Sequence, residues 1–92
     1  MKTICMKLKV IVYPNPFTSE LAVFIQGHFT MNVVLRLLNN AGTVIRITGC
    51  TVDKGENKIT LDNLSKYATG DYILDVKMLN GDLIEKINLV KK

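Results

Sequence analysis

A chain of 92 residues with a net charge of +4 and 7% aromatic residues has room for one domain, which at that length buries roughly 60–65% of the surface its unfolded form exposes. That supports a modest core and argues against a deep active-site cleft. No block of five or more like charges occurs, so the mild basic excess gives no pointer to nucleic acid. No stretch approaches the roughly 20 apolar residues of a membrane-spanning helix, and Lys2, Lys7 and Lys9 interrupt any signal-peptide-like run in "MKTICMKLKVIV".

Residues 1–7 read as an N-terminal extension or the start of the first strand, and residues 8–92 as the domain. Leu8, Val10 and Val12 alternate with Lys9 and Ile11, the period of a strand. It ends at "VYPNPF", where Pro14 and Pro16 remove two backbone donors from one lateral side and bias Tyr13 and Asn15 toward extended conformations. The segment is expected to run straight, with an edge that cannot hold a full ladder. Leu21, Val23 and Ile25 form a second strand, closed by Gly27 and His28. Val33, Leu35 and Leu37 make one face of a third, which stops at "NNAG", turn chemistry because Asn and Gly tolerate positive φ.

A fourth strand is expected to turn Ile45 and Ile47 inward, and "DKGEN" separates it from a fifth with Ile59 and Leu61. "LSKYATG" is the place for a helical turn. Tyr72, Leu74, Val76 and Met78 then alternate with Ile73, Asp75, Lys77 and Leu79. Asn80–Gly81 predicts a tight hairpin with a primed turn and Gly81 at positive φ. The last strand runs from Leu83 to Val90, with Leu83, Ile87 and Leu89 on one face.

Seven short strands without a long helix predict an all-β fold, an antiparallel sandwich of immunoglobulin-like type, because each strand's mainly apolar face has only the others to bury against. The expected core includes Val23, Leu35, Leu37, Ile47, Ile59, Leu61, Tyr72, Leu74 and Val76. Phe24, Val34, Leu38, Val44, Ile73 and Leu79 fall on the opposite faces, which are therefore more apolar than full solvation requires.

Nothing in the residues supports catalysis. The only histidine, His28, has no nucleophile or orienting group in a recognisable context. Asp53, Glu56 and Asn57 supply too few oxygens for a calcium loop and read as a turn. Cys5 and Cys50 have no metal-ligand spacing, and Cys50 reads as a buried thiol in preference to a bridge with Cys5. No cofactor or metal site is expected.

"VYPNPF" followed by Leu21, Val23 and Ile25, "VVLRLLNNAGTVI", "GENKITLDNLSKYATGDYILDV" and the closing "EKINLVKK" together resemble the type A C-terminal sorting domain of the type IX secretion system, over about residues 10–92. The resemblance implies a seven-stranded immunoglobulin-like sandwich that is not an enzyme. Such domains end proteins exported across the outer membrane of certain Gram-negative bacteria. The cargo reaches the periplasm by a signal peptide, the domain is recognised by the translocation machinery, and a surface sortase commonly removes it. The implied partners are outer-membrane secretion and sortase proteins and an N-terminal cargo domain, with no nucleic acid and no direct membrane insertion. The implied location is the periplasm in transit, then the outer-membrane surface or the medium.

Carried over by residue, the family's proline motif falls on Pro14, Asn15 and Pro16, its G-x-Y element on Gly70 and Tyr72, and its basic terminal strand on Lys86, Leu89, Val90, Lys91 and Lys92. Read without the resemblance, the prolines end an edge strand, Gly70 closes a turn, Tyr72 fills the core with its hydroxyl on a backbone partner, and the last lysines are a solvated tail. Neither a cargo domain nor a signal peptide lies in these residues, so the chain reads either as an excised domain or as a lone protein that has kept the fold. The latter would make it a stand-alone immunoglobulin-like structural or adhesion module with no export role.

Overall fold

The computed structural model describes residues 8–92. Among them are seven strands and no helix: β1 (Lys9–Tyr13), β2 (Leu21–Gly27), β3 (Met31–Asn39), β4 (Val44–Val52), β5 (Gly55–Leu61), β6 (Gly70–Met78) and β7 (Leu83–Lys91). They form a three-stranded sheet in the order β1-β2-β5 and a four-stranded sheet in the order β4-β3-β6-β7, with every neighbouring pair antiparallel. The result is an immunoglobulin-like sandwich. Its core follows from the period-2 pattern: Leu21, Val23 and Ile25 of one sheet face Val33, Leu35, Leu37, Tyr72, Leu74 and Val76 of the other, all buried. Leu8, Phe17, Met31, Val52, Leu61, Leu64 and Leu89 complete it. The question of a Cys5–Cys50 bridge lies outside the described residues; Cys50 is half-buried, and burial pushes its thiol pKa up.

Two assignments fail for one reason. Ile47 is 63% exposed and Leu83 54% exposed, although both were expected inside. In the β3–β4 hairpin Leu37 faces Arg46 but Leu38 faces Val44, and in β6–β7 Val76 faces Glu85 but Lys77 faces Leu83. One residue in each returning strand, Ile45 and Ile84, is therefore an insertion in the ladder. A bulge changes the phase of alternation. Both inserted isoleucines turn inward and pack on the core, while Ile47 and Leu83 fall on the outer face.

The loops of these hairpins also match. Asn39 N–H donates to Thr43 O (3.0 Å) and Gly42 N–H to Asn39 O (3.0 Å); Met78 N–H donates to Asp82 O (2.8 Å) and Gly81 N–H to Met78 O (2.9 Å). Each is a three-residue loop whose last residue is a glycine at positive φ, +82° for Gly42 and +99° for Gly81. A primed two-residue turn needs positive φ at Asn80 as well, and Asn63 is the one non-glycine residue with that conformation among the described residues. Asn80 instead accepts a hydrogen bond from Asp82 N–H (3.0 Å). Gly81→Val is thus expected to cost at least about 1–2 kcal/mol, the penalty of an L-residue in left-handed backbone, while Asn80→Asp, which keeps the acceptor, should stay within about 0.5 kcal/mol. Denaturant melts of the two variants check the difference.

Two connections are simpler than a helix or an ion site. "LSKYATG" holds a single turn, Tyr67 N–H to Leu64 O (3.1 Å), anchored by the buried Leu64. "DKGEN" is a turn organised by Asn57, whose side-chain amide donates to Asp53 O (2.9 Å) and accepts from Asp53 N–H (2.9 Å). Gly27 lies against it, and a Cβ there would collide with the Asp53 carbonyl.

On the outer face of the four-stranded sheet Arg36 grips Asp75 with two hydrogen bonds, 3.0 and 2.8 Å. The Asp75 bond strengthens the hold of the guanidinium on its proton. The apolar outer residues lie around this pair, with Val34, Leu38, Val44 and Ile73 half-buried. On the other sheet Tyr13 stacks on Phe24, ring centroids 5.2 Å apart.

Candidate recognition site

β7 is an edge strand, and its C-terminal end is where the resemblance placed half of the site. The chain leaving β1 does not run straight along its own sheet. Both X–Pro bonds, Tyr13–Pro14 and Asn15–Pro16, are cis, and residues 15–17 cross to the opposite sheet and pair with β7.

The chemistry of that crossing explains the prolines. Pro14 and Pro16 have no N–H to offer, so the backbone around Asn15 cannot form a normal ladder. The Asn15 side chain does so instead: its Nδ2 donates to Asn88 O (3.2 Å) and its Oδ1 accepts from Val90 N–H (2.9 Å). A residue bridged to Leu89 in a parallel ladder would make those same two bonds, one to the residue before its partner and one from the residue after. One step on, Phe17 makes the real bridge to Lys91, with Phe17 N–H to Val90 O (2.9 Å) and Lys92 N–H to Phe17 O (2.9 Å). An amide side chain followed by a backbone peptide thus seals the edge from Asn88 to Lys92.

Phe17 anchors this clasp. It is fully buried and meets Tyr72 edge-on, centroids 5.8 Å apart and ring planes at 70°, a favoured aromatic geometry. Tyr72 is buried near the start of β6 and its hydroxyl donates to Ala68 O at 2.6 Å, the tyrosine corner of immunoglobulin-like sandwiches. Gly70, two residues earlier, has φ +143°, a conformation open to glycine. The register sets Gly70 opposite Lys91 and Tyr72 opposite Leu89. The G-x-Y element therefore supports the same end of β7 from its other side.

Most of the expected residues come together here: Pro14, Asn15 and Pro16 on the surface, Tyr72 and Leu89 beneath, Val90 facing out at 43% exposure, and Lys92 exposed. Lys86 does not join them. It faces Asp75 across the sheet, four residues and so about 13 Å along the strand from Val90. Lys91, a solvated tail when read without the resemblance, shares the inward side with Leu89; it is only 6% exposed, and its ammonium donates to Lys92 O (3.1 Å). On the outer face Asn40, Asp71, Ile73, Asn88 and Val90 border a shallow depression of about 350 Å³. Phe17 and the pairing role of Asn15 were not anticipated. The available signal was an amide side chain held between two prolines and followed by an aromatic residue.

A family model of the secretion system C-terminal sorting domain matches residues 11–91. The chain belongs to that family. The match runs from within β1 to the end of β7 and so includes Asn15, Phe17 and the tyrosine corner of this sorting domain. No curated protein matches the chain. The family is one of sorting signals rather than catalysts.

Proposed function

We propose that this sorting domain directs a cargo protein through the type IX machinery, and that the machinery reads the C-terminal end of β7 together with Pro14–Pro16. One observation carries the reading: the Asn15 clasp joins the proline motif and the terminal strand, 75 residues apart in sequence, into a single surface. Because the backbone edge from Asn88 to Lys92 is already paired, the recognised features are outward side chains, Asn88 and Val90 beside Asp71 and Ile73, with Pro14 and Pro16 at the rim. Strand addition at that end would first have to displace Asn15 and Phe17. Lys86 and Lys92 add positive charge that favours encounter with an acidic partner. In this reading the cargo crosses the periplasm and reaches the outer-membrane surface, and the partners are outer-membrane secretion and sortase proteins.

The test is a fusion of residues 8–92 behind a reporter carrying its own signal peptide, in a host with the type IX machinery. The reporter is expected at the cell surface, scored by protease accessibility on intact cells. A reporter that stays in the periplasm with the domain folded would overturn the proposal in favour of an interaction module without an export role.

A further inference from the structure

β1, β5, β4 and β7 are the sheet edges, and an edge strand offers unpaired N–H and C=O groups that proteins guard with prolines, charges, short length or a covering segment. β1 is five residues long and runs into Pro14. β5 carries Glu56 and Lys58. β7 carries Glu85 and Lys86, and its end is sealed by Asn15 and Phe17. At the start of β4 the Tyr67 hydroxyl donates to Ile45 O (3.2 Å) and Arg46 is drawn to Asp62 O (2.8 Å). From Ile47 to Val52, "ITGCTV", the strand has no charge and no proline, and among the described residues only β3 hydrogen-bonds to it.

Gly49 lies in the middle of that stretch. The other glycines have a reason within one copy of the chain: four have positive φ, and a Cβ on Gly27 would strike the Asp53 carbonyl. Gly49 has neither, and the space where its Cβ would stand is empty. A side chain at that position would project from the outer face of the sheet rather than toward its edge, so the backbone groups of β4 stay open to a second strand whatever residue stands there.

We propose that β4 is a homotypic pairing edge: two copies of the chain join antiparallel about a two-fold axis at Gly49, fusing their four-stranded sheets into one of eight strands. That register sets Gly49 against its own copy, Thr48 against Cys50 and Ile47 against Thr51. No like charges meet, and the exposed Ile47 gains a β-branched neighbour. A second copy is the fitting occupant because the segment complements itself in the antiparallel sense, as a two-fold interface demands. The same operation on β5 about its centre would press Lys58 against Lys58. One strand edge makes a small interface, so the dimer is weak, with a dissociation constant on the order of 0.1–1 mM.

Sedimentation equilibrium of the 92-residue chain up to about 1 mM, the range that affinity requires, is expected to show a concentration-dependent dimer. Gly49→Lys and Gly49→Glu each place like charges face to face at the axis and should weaken dimerisation at least about tenfold. An equimolar mixture of the two should restore it, a rescue that misfolding cannot imitate. Ile47→Lys, at an exposed side chain, removes the cross-strand pair with Thr51 on both sides of the axis and should weaken dimerisation severalfold, which serves if a Gly49 variant fails to fold. A wild-type chain that stays monomeric throughout leaves the edge to a strand of some other protein and overturns the proposal, as does a dimer indifferent to all three substitutions.

Discussion

Leu35→Ala and Leu74→Ala are each expected to lower the unfolding free energy by about 2–5 kcal/mol, the range for deleting a buried leucine and leaving a cavity. Both side chains are completely buried, on neighbouring central strands of the four-stranded sheet. Leu74 pairs with Leu37 and Leu35 with Val76, and neither site lies beside a loop that could collapse into the space. Ile47→Ala and Leu83→Ala should instead stay within about 0.5 kcal/mol, as exposed positions do. The contrast tests the bulges as much as the core, because without them Ile47 and Leu83 would point inward and their truncation would cost as much as the others. Urea melts of the four variants decide it: equal losses at Ile47 and Leu35 would refute the assigned phase.

The elements legible in the sequence were those written in local code. Alternation in β2, β3 and β6 located Val23, Leu35 and Leu74 in the core because an antiparallel strand with one buried face has no other way to pattern. Gly81 was legible at the level of backbone conformation, since few residues but glycine accept φ near +99°. The bulges at Ile45 and Ile84 were not, because an inserted apolar residue next to an apolar strand leaves no break in composition. Nor was the clasp. The prolines at 14 and 16 announced that a ladder would fail, but where Asn15 would find its partner depends on the sandwich bringing residue 88 beside it, a long-range contact with no local trace. The burial of Lys91 was hidden for a related reason: lysine signals solvent by composition, yet its place in β7 puts it on the same side as Leu89, and only its flexible stem reconciles the two.

Deleting Leu89–Lys92 is expected to unfold the domain rather than merely silence it. The deletion removes Leu89, 2% exposed, for which about 2–5 kcal/mol is the usual cost. It also breaks the bonds from Val90 N–H to Asn15, from Phe17 N–H to Val90 O and from Lys92 N–H to Phe17 O, each contributing about 0.5–1.5 kcal/mol net. The sum rivals the whole stability of a small domain, about 5–15 kcal/mol, and the circular dichroism of the truncated chain should show the collapse. A fusion bearing this deletion would fail to reach the surface whatever part of the domain the machinery reads. Val90→Gln separates the two causes. Its side chain points outward beside the depression, while both of its hydrogen bonds to residues 15–17 are made by the backbone, so stability should change by about 0.5 kcal/mol or less. If the β7 end is what the machinery reads, surface display of a Val90→Gln fusion falls at least severalfold with the melting midpoint nearly unmoved. Display at the wild-type level in that folded variant would move recognition away from Val90 and its depression.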